Sequence, residues 1–130
     1  MRPLLSLAAF ALGVTASAAA AQDWRGAREY EVLLTSFDVQ PDEIRLKAGE
    51  PVRLRLVNTS NQGHSFSAEA FFKGASMRKR DAGMVKGGQI VVPPLSTREV
   101  ILVPKPGRYK ATSGNFLHRL MGMSARIVVE

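Results

Sequence analysis

The segment Val52-Arg53-Leu54-Arg55-Leu56-Val57-Asn58 alternates apolar and polar residues at a period of two, and nothing else in the chain constrains its fold as much. Successive side chains of an extended strand point to opposite faces, so Val52, Leu54 and Leu56 share one face and the two arginines share the other. The first face is expected to be buried and the arginines to meet solvent. The rhythm recurs in Glu43-Ile44-Arg45-Leu46-Lys47, after a Pro41-Asp42 turn, and in Thr97 to Val103. Tyr30 to Phe37 is rich in β-branched and aromatic residues, and His64-Ser65-Phe66, Gln89 to Val92, Arg108 to Thr112 and Ser124 to Val129 are further short runs. Between them lie turn signals: Ala48-Gly49-Glu50-Pro51, the polar stretch Asn58 to Gly63, and Pro106-Gly107. About seven or eight short strands, with no helical apolar stripe outside residues 68 to 85, predict an all-β sandwich.

Residues 1–21 read differently. Met1 and Arg2 give a positive start, Leu4 to Val14 form an apolar run, and small residues follow as far as Ala21. This is the pattern of a secretory signal peptide, with a small-x-small cleavage site at Ala19-Ala20-Ala21 ahead of Gln22. The apolar run is short for a membrane anchor, and no later stretch is long enough to span a bilayer. The expectation is a cleaved signal at 1–21 and a single exported domain at 22–130, periplasmic and monomeric.

The chain of 130 residues is 45% hydrophobic and 22% charged, which fits one globular domain. It contains no cysteine, so disulfide frameworks, thiolate zinc sites, iron–sulfur clusters and cysteine nucleophiles are all excluded. Any metal must bind through His, Met, Asp or Glu. The formal net charge is +7, and a large part of it lies in the segment 73–88, where Lys73, Arg78, Lys79, Arg80 and Lys86 face one acid, Asp81. The segment also carries Met77, Met84 and several glycines. A solvated connection or short surface helix is its plain reading. A docking patch for an acidic envelope protein or an anionic surface is its sharper one. Nucleic acid is not an expected partner, because the run lacks interleaved aromatics.

Chemistry-bearing residues are few. The two histidines, His64 and His118, sit in no triad or paired-carboxylate pattern, and the chain has no HExxH, no phosphate loop and no nucleophile elbow. No enzyme is expected. His118-Arg119-Leu120-Met121-Gly122-Met123 places two thioethers just after an imidazole, a donor mixture that suits copper and above all the soft cuprous ion. Loops at one end of a sandwich converge, which lets His64 and His118 meet.

At these residues the chain resembles the cupredoxins, the small blue-copper proteins such as plastocyanin and pseudoazurin. The likeness runs through residues 41–50, then Leu54-Arg55-Leu56-Val57-Asn58 and Gly63-His64-Ser65-Phe66, then Pro106-Gly107-Arg108-Tyr109 and the loop that ends at Met123. It implies a Greek-key β-sandwich with an inserted basic loop or short helix near residues 68–88. It also implies His64 and His118 as imidazole ligands and Met123 as the axial thioether, and Met121 is a further candidate two residues before it. The family pattern Cys-x-x-His-x-x-x-Gly-Met fails at its cysteine. Asn115 stands there by the plastocyanin spacing and Ser113 by the longer azurin-like one, and neither supplies a thiolate. A type 1 copper site is therefore not expected. Two functions remain: a copper-handling protein that binds one ion through His and Met, cuprous by preference, and a metal-free cupredoxin-like interaction module of an envelope or metal-uptake system.

Overall fold

Alternation becomes sheet wherever one face can be buried. In the computed structural model, which describes residues 22–114 and 123–130, the chain forms ten strands and two short helices: β1 (Arg28–Leu34), β2 (Val39–Gln40), β3 (Glu43–Leu46), β4 (Val52–Asn58), β5 (His64–Ser67), α1 (Glu69–Gly74), β6 (Ser76–Met77), α2 (Lys79–Ala82), β7 (Gln89–Val92), β8 (Thr97–Val103), β9 (Gly107–Ser113) and β10 (Ser124–Val129). Two five-stranded sheets result, in the orders β2-β1-β4-β8-β6 and β3-β10-β9-β5-β7. Both are mixed, because β1 runs parallel to β4 and β3 parallel to β10, while the other pairs are antiparallel.

The two sheets press their apolar faces together. Val52, Leu54 and Leu56 of β4 are buried as their spacing predicts, opposite Leu102, Val100 and Arg98 of β8. Val32, Leu34, Ile44, Phe66, Ile90, Val92 and Ile127 are among the other residues of the core. Each large side chain fully buried there contributes about 1.5–3 kcal/mol. Arg53 and Arg55 lie on the outer face. Arg55 Nη1 sits 3.2 Å from Glu99 of β8, and its Nε sits 3.6 Å from Glu31 of β1, a half-exposed cluster that contributes little to stability.

The segment between β5 and β7 holds the two helices. At six residues α1 is too short to form alone, and it is held by the burial of Phe71 and Phe72. Phe71 meets Tyr109 edge to face with ring centroids 5.5 Å apart. Gly88 lies against this helix so closely that a Cβ there would come 2.6 Å from the Glu69 Cα. The four-residue α2 is fixed by Asp81, which is 5% exposed. Its Oδ2 accepts from Arg78 Nε, and its Oδ1 accepts from the backbone N–H of Ile101 at 3.3 Å. The basic segment thus runs from the end of α1 through β6 and α2, the last two pinned to β8, and is not a free loop.

Candidate metal centre

One end of the sandwich collects the last residues of β1, β4, β7 and β9 and the first of β5, β8 and β10. His64 opens β5 there and is paired with Val92 of β7. Ser113 closes β9 and is paired with Phe66 of β5, while its N–H donates to the carbonyl of Met123 at 2.9 Å. Residues directly opposite in an antiparallel pair, and residues two apart on one strand, share a face. His64 and Phe66 on β5, Ala111 and Ser113 on β9, and Met123 and Ala125 at β10 therefore all turn toward the core. His64, Ser113 and Met123 are 2%, 0% and 1% exposed.

The imidazole is oriented within this group. His64 Nδ1 lies 3.2 Å from Ser113 Oγ, a hydrogen bond in which the hydroxyl donates or accepts according to the tautomer. Among the described residues, Ser113 hydrogen-bonds His64, and it is the residue that the longer, azurin-like spacing puts in the cysteine position. Asn115, the other candidate for that position, lies outside the described residues, as do His118 and Met121.

The approach to His64 is built by a residue that the period-two pattern passes over. Asn58 continues the inward face of Val52, Leu54 and Leu56, and it is 1% exposed. The two protons of its Nδ2 are shared among the carbonyls of Gln62 at 2.7 Å, Val92 at 3.1 Å and Pro93 at 3.1 Å. Its Oδ1 accepts from the backbone N–H of Ser60 at 2.9 Å and lies 2.8 Å from the Ser60 hydroxyl. One amide thereby ties the turn at 59–63 to the end of β7, the two segments that flank His64. A polar residue at the inward end of an apolar stripe was the sequence signal for it.

At the same end Thr35 Oγ1 donates to Asp38 and accepts from the backbone N–H groups of Phe37 and Asp38. The Thr35 hydroxyl, and after it the Gln40 amide, hold the Asp38 carboxyl below the usual aspartate range.

Imidazole and thioether are soft to intermediate donors, and the Ser113 hydroxyl stays neutral at physiological pH. The described donor set carries no negative charge. Burying a doubly charged ion among neutral groups costs far more than burying a singly charged one. These residues fit a monovalent soft ion such as Cu(I) better than a blue-copper cupric centre, which relies on thiolate. Among the described residues, no group of three or more His, Cys, Asp or Glu side chains converges as a harder metal would need.

The sequence profile of the cupredoxin-like domain family matches residues 4–129. The chain belongs to that family. Its fold is also that of solved blue copper proteins. Auracyanin B matches this cupredoxin-like chain with a TM-score of 0.58 at 21% identity, over 80% of this chain and 89% of that one. Auracyanin A, a blue copper protein of the green thermophilic photosynthetic bacterium Chloroflexus aurantiacus, matches with a TM-score of 0.56 at 17% identity, over 81% of this chain and 100% of that one. A multi-copper oxidase from Pediococcus acidilactici matches with a TM-score of 0.58 at 11% identity, over 78% of this chain but 25% of the oxidase. At these identities the likeness shows a shared fold, one that occurs as a small free-standing protein and as part of a larger enzyme. No curated protein sequence matches the chain. Among the described residues, no helix is long and apolar enough to cross a membrane.

Proposed function

We propose that this cupredoxin-like protein is a periplasmic copper-handling protein, exported by the signal at residues 1–21, with a monomeric domain at 22–130. It is a carrier and not an enzyme. Its cargo is one cuprous ion, taken through His64, His118 and Met123, with Met121 as a further donor, for storage, delivery or tolerance. The basic segment serves docking to an acidic envelope protein.

The observation that supports this reading is the burial of His64, Ser113 and Met123 on one inner face at one end of the sandwich. His64 offers a borderline nitrogen, and Met123 offers a polarisable sulfur in a place where water is excluded. Ser113 orients the ring without adding charge, so the preference falls on the lower oxidation state.

The test is thermal melting of residues 22–130 with and without cuprous ion. A ligand that binds only the folded state stabilises it, by about 2.7 kcal/mol at a hundredfold excess over Kd. The melting temperature is expected to rise, and the rise is expected to vanish in His118→Ala. No shift in the native sequence at saturating copper overturns the reading. A metal-free interaction module then takes its place. The hydrogen bond between His64 and Ser113 favours that second reading, since it gives the buried imidazole a partner without a metal.

A further inference from the structure

Two adjoining clefts lie beside α2. One, of about 500 Å³, is bordered by Arg53, Arg78, Arg80, Met84 and Glu99. The other, of about 340 Å³, shares Met84 and adds Lys86, Val91 and Arg98. The acids in this region are already engaged: Asp81 by Arg78 and the Ile101 N–H, and Glu99 by Arg55. Among the described residues, no acid comes within ion-pair distance of Arg53, Arg80, Lys86 or Arg98. The clefts therefore concentrate uncompensated positive charge around a half-exposed methionine.

The wall of these clefts is an unfinished sheet edge. β6 pairs with β8 only at Val103 and Leu102, and the carboxylate of Asp81 takes the next outward N–H, that of Ile101. Alternation sends the backbone groups of Glu99 and Thr97 to the same side as those of Ile101. Among the described residues, no backbone group pairs with them there. The Thr97 carbonyl instead accepts from the guanidinium of its neighbour Arg98 at 3.2 Å. An open edge offers a strand-shaped row of donors and acceptors.

We propose that these clefts are the docking surface for an extended acidic segment of a partner protein. The segment adds to the open edge of β8, and its carboxylates are held by Arg53, Arg80 and Arg98. A concave cleft with a backbone edge fits a peptide chain, whereas an anionic membrane calls for an outward cationic face. This rests on the reading that the basic segment meets an acidic partner and is independent of copper. It also changes which residues matter: Lys73, on α1, stands outside both clefts, while Arg53 of β4 and Arg98 of β8 join them.

The experiment is a fluorescence anisotropy titration of the metal-free protein with a labelled (Glu-Val)4 peptide at low and high salt. Binding is expected to be salt-sensitive and at least tenfold weaker in Arg53→Glu/Arg80→Glu. It is expected to be unchanged in Arg108→Glu/Lys110→Glu, which removes the same charge from the exposed face of β9. Circular dichroism confirms that both variants fold. N-methylation of alternate peptide amides is expected to weaken binding, because it blocks pairing to an edge. Equal loss in the two double variants makes the attraction one of net charge only and overturns the proposal. So does failure of the peptide to bind while vesicles containing phosphatidylglycerol do. Each result is obtained without copper, so it stands apart from the melting test of the metal reading.

Discussion

Ser113 differs from cysteine by one atom, and under the proposed function that atom governs what the buried end binds. Its hydroxyl stands 3.2 Å from His64 Nδ1 and cannot supply an anion. Ser113→Cys puts a thiol, small and comfortable in a core, at the same distance. Added cupric ion is expected to give this variant an intense visible thiolate-to-copper absorption that the native protein lacks; a colourless variant means that Ser113 does not stand at the thiolate position. Asn58→Ala removes a donor from the buried Val92 carbonyl and from the part-buried carbonyls of Gln62 and Pro93, and it is expected to cost about 2–4 kcal/mol by denaturant unfolding, a loss under 1 kcal/mol contradicting its role as a tether. A third expectation concerns Asp38, whose carboxyl is depressed in the folded state by Thr35 and then Gln40. Because the folded pKa lies below the unfolded one, the contribution is full above the unfolded pKa of about 3.9 and disappears as pH falls through the folded value. An NMR titration is expected to find Asp38 below ordinary aspartates and Thr35→Val to raise it. His64 and Met123 were legible as candidates from residue type and position. Asn58 was legible as the end of the alternating strand and the start of a polar loop, but its role was not, because the pattern gives no view of the three carbonyls gathered around its amide.

Elements followed from periodicity where they were long enough to have one. β4 and β8, seven residues each, repeat the inward-outward rhythm several times, and the structure pairs them along nearly their full length. β2 and β6 have two residues each and no rhythm to detect; they exist because an edge of β1 and of β8 lies beside them. The first strand was expected to reach Phe37 but ends at Leu34, since the Thr35 hydroxyl takes the N–H groups of Phe37 and Asp38 and turns the chain. The helical segment was legible as an interruption in the strands, while its attachment through Asp81 depends on a contact twenty residues away. Gly88 marks the tightest joint in that segment. With φ at +74° and no room beside Glu69, Gly88→Ala is expected to lower stability by about 1–3 kcal/mol, and a neutral result by thermal melting would show that α1 shifts freely.

At the scale of the molecule, two sheets bring together groups far apart in sequence: His64 and Ser113 stand 49 residues apart and share a hydrogen bond. The same sandwich places its buried imidazole and thioether at one end and its uncompensated arginines beside α2, so the proposed cargo and the proposed partner need not compete for one surface. In the proposed function the absence of cysteine does not empty the fold of metal chemistry. Under the proposed function it moves the preference from a cupric ion balanced by thiolate to a cuprous ion held by neutral donors. The direct test is a competition titration of cuprous ion against a chromophoric chelator, with residues 22–130 and with His64→Ala, His118→Ala and Met123→Leu. One ion per chain is expected, with affinity at least tenfold weaker, about 1.4 kcal/mol, in each histidine variant and a smaller loss in Met123→Leu. Failure of the native protein to compete, or equal competition by both histidine variants, contradicts the account.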